Sequence, residues 1–362
     1  MANIRRNNCS QKAVVDTSIK KWYIIIVAGQ SNAVGYDESE VDEKEFPINP
    51  RICQLGYRGD NNLKIIPLRW CAENFQDVSA LGKGKKGCKG IHYYLAQRCL
   101  EWLPSDYGVL IIPAAFGGTS TIFRGAGWWS TSRANFNETQ CKTTNTDINS
   151  FHWQCLSAAE ASPLDNIQAT NPIKTIQYRL KRVLVDYPGS ALLGIVWAQG
   201  ESTTFNTNQR SSGINNDAQA LYSYTRMFQG IQSVLYLSGI KNFAGQDITH
   251  ADIYTFRAPV YWGRDSSVGL YDKIQELYKK MLPAVNYILP PQTDSVTNKY
   301  NGAPSGQGQT SSAVESHYGN NAFRDYIAPA VAEAIHKRFL QLNGKYNTIQ
   351  NQAELVTAYK VG

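Results

Sequence analysis

The sequence has 362 residues, of which 43% are hydrophobic and 18% are charged, and its formal net charge is +7. Such a chain can bury a large core, as one big domain or two ordinary ones, and no apolar run is long enough to span a membrane. The basic residues are scattered and lack the interleaved aromatic residues of a nucleic-acid module, so we expect neither a membrane nor a nucleic acid as a partner.

The chain begins with basic residues, Met1–Cys9, and no apolar segment follows them directly. The apolar run Ile24–Val27 is too short for the core of a secretory signal. The sequence therefore shows no standard signal peptide and is compatible with a cytoplasmic protein. We expect an N-terminal arm over 1–20, a core domain over 21–342 and a C-terminal extension over 343–362.

Short β-rich runs alternate with helical patterns along the core. The predicted strands are Trp22–Ala28, Gly108–Ala115, Ala191–Gln199, Asp252–Ala258 and Tyr287–Leu289. The predicted helices are Ile91–Leu103, Ile173–Asp186, Ala218–Leu237, Tyr271–Leu282 and Asn321–Leu340. This alternation, with nearly continuous apolar strands, is typical of an α/β protein in which helices cover both faces of a parallel sheet. Long insertions of the kind that often carry function remain at Arg124–Thr170 and Thr293–Ser316.

Seven cysteines are widely spaced and include no Cys-x-x-Cys pair, which gives little support to a disulfide framework or a zinc site. No metal or cofactor is expected. Four lysines lie close together in the Gly-rich segment Lys83–Lys89. This segment is either a solvated loop, which is the commoner case, or a surface that attracts an anionic ligand such as an acidic glycan.

The first predicted strand runs directly into Gly29-Gln30-Ser31-Asn32. One interpretation is structural: the strand has ended, and Ser31 and Asn32 cap the next helix. The other is that the strand presents Ser31 at the carboxyl edge of a parallel sheet, where such folds place their sites.

Two further predicted strands end next to residues that could take part in catalysis. The strand Gly108–Ala115 is followed by Gly117-Gly118, and paired glycines let backbone N–H groups approach a ligand closely. The strand at Ala191 is followed by Gly200-Glu201 and ends in Gln199, whose amide can donate to an oxyanion as well as to a loop carbonyl. Each of these features alone is more often a turn than a site.

A serine nucleophile needs an adjacent proton acceptor, which is most often a histidine. The histidines of the chain are His92, His152, His250, His317 and His336. Two of them, His92 and His336, lie within helical patterns and fit packed or solvated side chains better. His317 lies directly before the final predicted helix, where a loop can return a base to the carboxyl edge of the sheet. His317 is therefore the leading candidate.

Four sequence blocks occur in one order: Ala28-Gly-Gln-Ser-Asn-Ala33, Phe116-Gly-Gly-Thr119, Trp197-Ala-Gln-Gly-Glu201 and Ser316-His317. Together they resemble the SGNH-type carbohydrate esterases, and within them the sialate O-acetylesterases, which remove O-acetyl groups from sialic acids. The similarity covers roughly Tyr23 to Phe339. It implies a flavodoxin-like three-layer α/β/α sandwich with Ser31 at the end of the first strand.

The resemblance also implies a role for each candidate residue. Ser31 would attack the acetyl carbonyl, and His317 would act as general base and then as general acid. The oxyanion would be held by the backbone N–H of Ser31, a backbone N–H of the Gly117-Gly118 turn and the side chain of Gln199. The residues expected to contact the substrate are Gln30, Asn32, Arg124 and Glu201.

One position departs from the common pattern of these enzymes. Many of them carry an Asp three residues before the histidine, and this chain has Val314 there, with Glu315 one residue further on. Glu315, a distant acid or a backbone carbonyl could orient His317 instead. We favour a Ser–His dyad, which should be weaker than a triad because a carboxylate stabilises the imidazolium that forms.

The resulting hypothesis is a carbohydrate O-acetylesterase that acts on sialic acid or on an acetylated bacterial glycan. A phage tail component that deacetylates host polysaccharide fits equally well, since virion proteins need no secretion signal. The alternative from another class is a glycan-binding module on the same fold, but a pure binder has no use for Ser31, His317 and Gln199 together. A lipase is disfavoured because no amphipathic helix or broad apolar run flanks Ser31.

Overall fold

A computed structural model describes residues 18–74, 76–117, 172–200, 228, 231–248, 252–257, 259, 285–288 and 317–343. The strands among them are β1 (Lys21–Gly29), β2 (Ile52–Leu55), β3 (Ile65–Pro67), β4 (Tyr107–Ala115), β5 (Ala191–Ala198), β6 (Lys241–Asn242), β7 (Ile253–Phe256) and β8 (Val285–Ile288). The helices among them are α1 (Ser31–Val34), α2 (His92–Leu100), α3 (Pro172–Asp186), α4 (231–238), α5 (Asn320–Ala322) and α6 (Ala328–Leu342). One π-helical segment, Phe323–Ile327, joins α5 to α6.

The strands form one sheet in the order β3-β2-β4-β1-β5-β7-β8, with the two-residue strand β6 paired to β5. Every pairing in this described sheet is parallel except that between β2 and β3. The five strands predicted from the sequence correspond to β4-β1-β5-β7-β8, which in chain numbering is the 2-1-3-4-5 order of flavodoxin-like folds. The sequence pattern missed β2, β3 and β6.

The core lies on both faces of the sheet, because successive side chains of β1 point to opposite sides. Tyr23, Ile25 and Val27 belong to one apolar cluster together with residues of α2 and α6. Trp22, Ile24 and Ile26 belong to a second cluster with residues of α3 and α4. Burying one such side chain stabilises the fold by roughly 1.5–3 kcal/mol. The predicted three-layer α/β/α sandwich is thereby confirmed.

The helices differ from their predicted bounds mainly at the ends. The helix predicted over Ile91–Leu103 is α2, which ends at Leu100, and the last predicted helix begins at Asn320 and continues to Leu342. Within the described part of the predicted helix Ala218–Leu237, residues 228 and 231–237 are helical, and the helix continues to residue 238. The helix predicted over Tyr271–Leu282 lies outside the described residues. None of the described helices is long and apolar enough to cross a membrane.

The positive charge of the lysine-rich segment is compensated by carboxylates of the segment that follows Tyr36. The ion pairs are Lys83–Glu40 at 2.6 Å, Lys86–Glu43 at 3.0 Å and Lys89–Asp37 at 3.9 Å. This pairing leaves little uncompensated positive charge for an anionic ligand and favours the structural interpretation of the loop. The two exposed pairs add little stability, since such pairs are worth about 0–1 kcal/mol.

The cysteines in the described part of the chain are buried free thiols: Cys53, Cys71, Cys88 and Cys99. Burial raises the pKa of Cys53 to about 12, so its thiol stays protonated and unreactive. Among the described residues, no group of three or more His, Cys, Asp and Glu side chains is arranged to hold a metal ion. Cys9, Cys141 and Cys155 lie outside the described residues.

Candidate active site

The end of β1 is built around a glycine. Gly29 has φ +131°, and a β-carbon at this position would overlap the carbonyl oxygen of Ala198 at the end of β5. The next residue, Gln30, donates its N–H to the same carbonyl at 2.8 Å. The two central strands therefore end in close contact, and only glycine fits the first residue of the turn. This contact fixes the direction in which the chain leaves the sheet.

Ser31 begins α1 at the carboxyl edge of the sheet and is 6% exposed. The N-cap of this helix is Gln30, whose carbonyl accepts the N–H groups of Ala33 at 2.8 Å and Val34 at 3.0 Å. No side chain caps the helix. The structural interpretation of the motif, in which Ser31 and Asn32 act as caps, is therefore not what the structure shows.

Asn32 connects α1 to the segment that carries His317. Its side-chain oxygen accepts the backbone N–H of Tyr318 at 3.1 Å, and Asn32 is only 1% exposed. A second tether lies nearby, where the carboxylate of Asp37 accepts the backbone N–H of Asn320. Two buried bonds thus bring the histidine-bearing segment to the same edge of the sheet as Ser31. The side chain of Asn32 serves the fold here rather than facing open solvent.

His317 lies against an aromatic ring that follows the serine motif. Its imidazole stacks on the ring of Tyr36 with 5.0 Å between centroids and 19° between planes. The hydroxyl of Ser31 forms no hydrogen bond with another described residue. Catalytic hydrogen bonds are often long without substrate and tighten in the complex, so the absence of such a bond at Ser31 does not conflict with a Ser–His pair.

The end of β4 lies beside the end of β1, and the N–H of Phe116 donates to the carbonyl of Gly29 at 3.1 Å. The N–H of the next residue, Gly117, donates to the side-chain oxygen of Gln76 at 2.6 Å. Asn74 braces the same region, since its oxygen accepts the N–H of Ala115 at 3.2 Å. The N–H of Gly117 is therefore engaged within the protein in this state.

Gln199 follows β5 directly and is 3% exposed. It sits one residue beyond Ala198, whose carbonyl holds the N–H of Gln30. The structure thus places Ser31, Gly117 and Gln199 at the adjacent ends of β1, β4 and β5. Gln30 is 1% exposed. The remaining predicted site residues lie outside the described residues: Gly118, Arg124, Glu201 and Glu315.

Three residues of this region were not singled out by sequence reasoning: Tyr36, Asn74 and Gln76. Tyr36 follows the serine motif by five positions, and its sequence context carries no signal beyond Gly35 before it. Asn74 and Gln76 are described as part of no helix or strand, so no sequence pattern predicts that they contact the edge of the sheet. Only the folded chain brings them beside β4.

Buried titratable groups lie beneath the serine turn. His92 is 2% exposed and bonds to the backbone of Ala33, and burial lowers its pKa to about 4. Its Nε2 atom has no hydrogen-bond partner. This supports its interpretation as a packed, neutral residue. Burial also lowers the pKa of Lys89 and raises that of Glu38.

His336 is likewise not part of the site, because it stacks on Trp102 with 4.6 Å between ring centroids. His152 and His250 lie outside the described residues. Among the described histidines, His317 therefore remains the candidate base, because His92 is packed and neutral and His336 stacks on Trp102.

The sheet order is that of a flavodoxin-like α/β fold, and Ser31 lies at the carboxyl edge of its sheet. In sequence, a stretch of 196 residues is 26% identical to a probable 9-O-acetyl-N-acetylneuraminic acid deacetylase of Escherichia coli (strain K12). That match covers 50% of this chain and 53% of the Escherichia coli protein. The predicted resemblance to the sialate O-acetylesterases is thereby confirmed. No protein-family model matches the sequence.

Two solved structures share the fold. The crystal structure of NanS superimposes with a TM-score of 0.65 and 21% identity, over 89% of this chain and 98% of that one. A protein of Arabidopsis thaliana superimposes with a TM-score of 0.50 and 15% identity, over 88% of this chain and 98% of that one.

Proposed function

We propose that this chain is a carbohydrate O-acetylesterase that releases acetate from an O-acetylated sugar of the sialic acid class. The observation that carries the proposal is the pair of buried bonds, Asn32 to Tyr318 and Asp37 to Asn320, which hold the His317 segment against the Ser31 turn. The name of the Escherichia coli relative supports the sugar class. The 9-O-acetyl group is the substrate to test first.

In the proposed reaction, the Ser31 hydroxyl oxygen attacks the acetyl carbonyl carbon and passes its proton to His317. The tetrahedral intermediate then collapses, the bond from the acetyl carbon to the sugar oxygen breaks, and His317 gives its proton to the leaving sugar hydroxyl. A water molecule, deprotonated by His317, hydrolyses the acetyl-enzyme. Acetate leaves, and the proton returns to Ser31.

The negative charge that develops on the carbonyl oxygen needs hydrogen-bond donors at the ends of the central strands. We assign this task to the N–H of Ser31 and to the side-chain amide of Gln199. Since the N–H of Gly117 already donates to Gln76, we assign the third donor to Gly118. We further assign substrate contacts to Arg124 and Glu201. We propose a Ser31–His317 dyad in which Glu315 does not orient the imidazole.

The test is acetate release from 9-O-acetyl-N-acetylneuraminic acid, with a neutral acetylated xylan as the comparison substrate. Ser31→Ala and His317→Ala should each lower turnover at least about a thousand-fold, and the double variant should be little worse than either. Ser105→Ala, at an exposed serine after α2, is the matched control and should leave turnover unchanged. Substantial turnover by Ser31→Ala would exclude the serine mechanism, and a preference for xylan would exclude the proposed sugar class.

A further inference from the structure

We infer that Tyr36 positions His317, and that the face of its ring stabilises the imidazolium that forms during the reaction. Tyr36 would thus take over part of what a carboxylate does in a Ser–His–Asp triad. The inference rests on the proposed function, because it assumes that His317 accepts the proton of Ser31. It addresses the position where the chain has Val314 instead of an acid.

The geometry of the pair is that of an offset ring stack. The centroids of Tyr36 and His317 are 5.0 Å apart and the ring planes differ by 19°. A cation within about 6 Å of an aromatic centroid is attracted by the negative face of the ring. A neutral imidazole gains little from this field, whereas the imidazolium gains more. The stack therefore favours the protonated form, which is the form that must accumulate as Ser31 attacks.

The backbone on both sides of Tyr36 is pinned, which fixes the position of the ring. On one side, Gly35 has φ +82°, and a β-carbon there would lie 2.6 Å from the Cα of Gly90. On the other side, Asp37 and Lys89 exchange backbone bonds of 3.3 and 2.9 Å. Because its neighbours cannot shift, Tyr36 presents a preorganised surface to His317.

The ring of Tyr36 also reaches the end of β4. A β-carbon placed on Gly117 would lie 3.4 Å from the hydroxyl oxygen of Tyr36. Tyr36 thus spans the distance between the His317 segment and the turn after β4. The ring face contacts His317 and the hydroxyl lies near Gly117, so the contributions of the face and of the hydroxyl can be tested by separate variants.

Burial raises the pKa of the Tyr36 hydroxyl well above its usual value, and the neighbouring Cys88 and Glu38 act in the same direction. The phenol is therefore neutral at every pH at which an esterase would be assayed. Its effect on His317 comes from the ring face and not from a phenolate charge. Cys88 and Glu38 are unchanged in all variants proposed below, so their fields do not distinguish one variant from another.

The test compares three variants by the pH profile of kcat/KM for acetate release. Tyr36→Phe keeps the ring face and should retain the wild-type acidic limb. Tyr36→Leu removes the face and should lower kcat about 5- to 30-fold and move the acidic limb about one unit to lower pH. Tyr236→Leu, at an exposed tyrosine on α4, is the matched control and should behave as wild type.

A second series avoids the loss of volume that could unfold Tyr36→Leu. Phenylalanine analogues with two, three and five ring fluorines at position 36 weaken the negative ring face stepwise while keeping its shape. The acidic limb should move to lower pH with each added fluorine. A limb that stays in place through this series overturns the inference. A Tyr36→Phe variant as impaired as the pentafluoro variant also overturns it, because the hydroxyl would then be responsible.

The same assay separates this inference from the proposed function. If the wild-type protein shows no acetate release that depends on Ser31, both fail together. If release depends on Ser31 and His317 but the limb does not respond to position 36, only the role of Tyr36 fails.

Discussion

The side chain of Asn32 holds the backbone of Tyr318 across 286 positions of the chain, through a bond of 3.1 Å in the buried interior. Asn32 is adjacent to the candidate nucleophile, and Tyr318 is adjacent to the candidate base. The bond therefore couples the two halves of the candidate site directly. The side-chain oxygen of Asn32 accepts a buried N–H that water could not reach easily. A buried donor left without an acceptor lowers the stability of the fold.

Asn32→Ala should lower the free energy of unfolding by about 1–3 kcal/mol, because the N–H of Tyr318 loses its acceptor. It should also lower kcat for acetate release more than it raises KM, since His317 would no longer be held in place. Asn32→Asp keeps the acceptor oxygen and should retain more activity. An increase confined to KM would show instead that Asn32 contacts the substrate, as the sequence resemblance implies.

Gln199→Ala leaves Ser31 and His317 in place and removes one proposed donor to the developing charge. The expected loss is about a hundred- to thousand-fold in kcat, as for other single oxyanion-hole donors. Steady-state kinetics on 9-O-acetyl-N-acetylneuraminic acid measure it. Gln97→Ala, at an exposed glutamine of α2, serves as the control. An unchanged kcat with a raised KM would make Gln199 a substrate-binding residue.

Gly29→Ala should prevent the ends of β1 and β5 from meeting, because the new methyl group would overlap the carbonyl of Ala198. We expect a loss of stability larger than the roughly 1–3 kcal/mol of backbone strain alone. Gly59→Ala isolates that strain, since Gly59 also has positive φ, of +47°, but no atom lies within 4 Å of an added β-carbon. Urea unfolding of both variants tests this. Equal losses would contradict the packing argument.

His92 should make the fold sensitive to acid. Burial lowers its pKa to about 4. In the unfolded chain the pKa is about 6.5, so the unfolded state takes up a proton first as the pH falls. The contribution of His92 to the free energy of unfolding is at its full value above about pH 6.5. It should fall by about 2 kcal/mol between pH 7 and pH 5. It continues to fall until the pH passes the folded pKa.

The measurement is the free energy of unfolding in urea at pH 7 and pH 5 for the wild type and for His92→Gln. The variant has no imidazole to protonate and should show a smaller loss across this range. His336→Gln is the comparison: burial also lowers the pKa of His336, but this side chain is only half-buried, so its removal should change the pH dependence less than that of His92. Equal pH dependence of the wild type and His92→Gln would show that other groups govern the acid sensitivity.

The sequence predicted the parallel core because β1, β4 and β5 are long and almost entirely apolar. It missed β2 because this strand has only four residues and one of them is polar. Gln54 is nevertheless fully buried, since its oxygen accepts the N–H of Glu73 at 2.7 Å and its amide donates to Cys71. The burial of a polar residue whose hydrogen-bond partners are distant in the sequence cannot be predicted from a hydrophobic pattern. Strand β2 could therefore be identified only from the tertiary structure.

The same limit applies to the candidate site. Ser31, Gly117 and Gln199 could be predicted because each follows an apolar strand, and parallel strands end at a common edge. The contacts of Tyr36 and Gln76 could not be predicted, because both are made with residues far away in the sequence. Asn32 was predicted as a substrate contact from the resemblance, whereas the structure shows its side chain bound to the backbone of Tyr318.

The separation between Asn32 and Tyr318 has a consequence for synthesis in the cell. As the ribosome makes the chain, the serine turn and β4 emerge early, and the strands beside them can pair while later residues are still being added. The N–H of Tyr318 can reach Asn32 only after residue 318 has left the exit tunnel. A nascent or prematurely terminated chain that lacks residue 318 would therefore carry the Ser31 turn without the segment that holds the candidate base, and the proposed hydrolysis would have to await that segment.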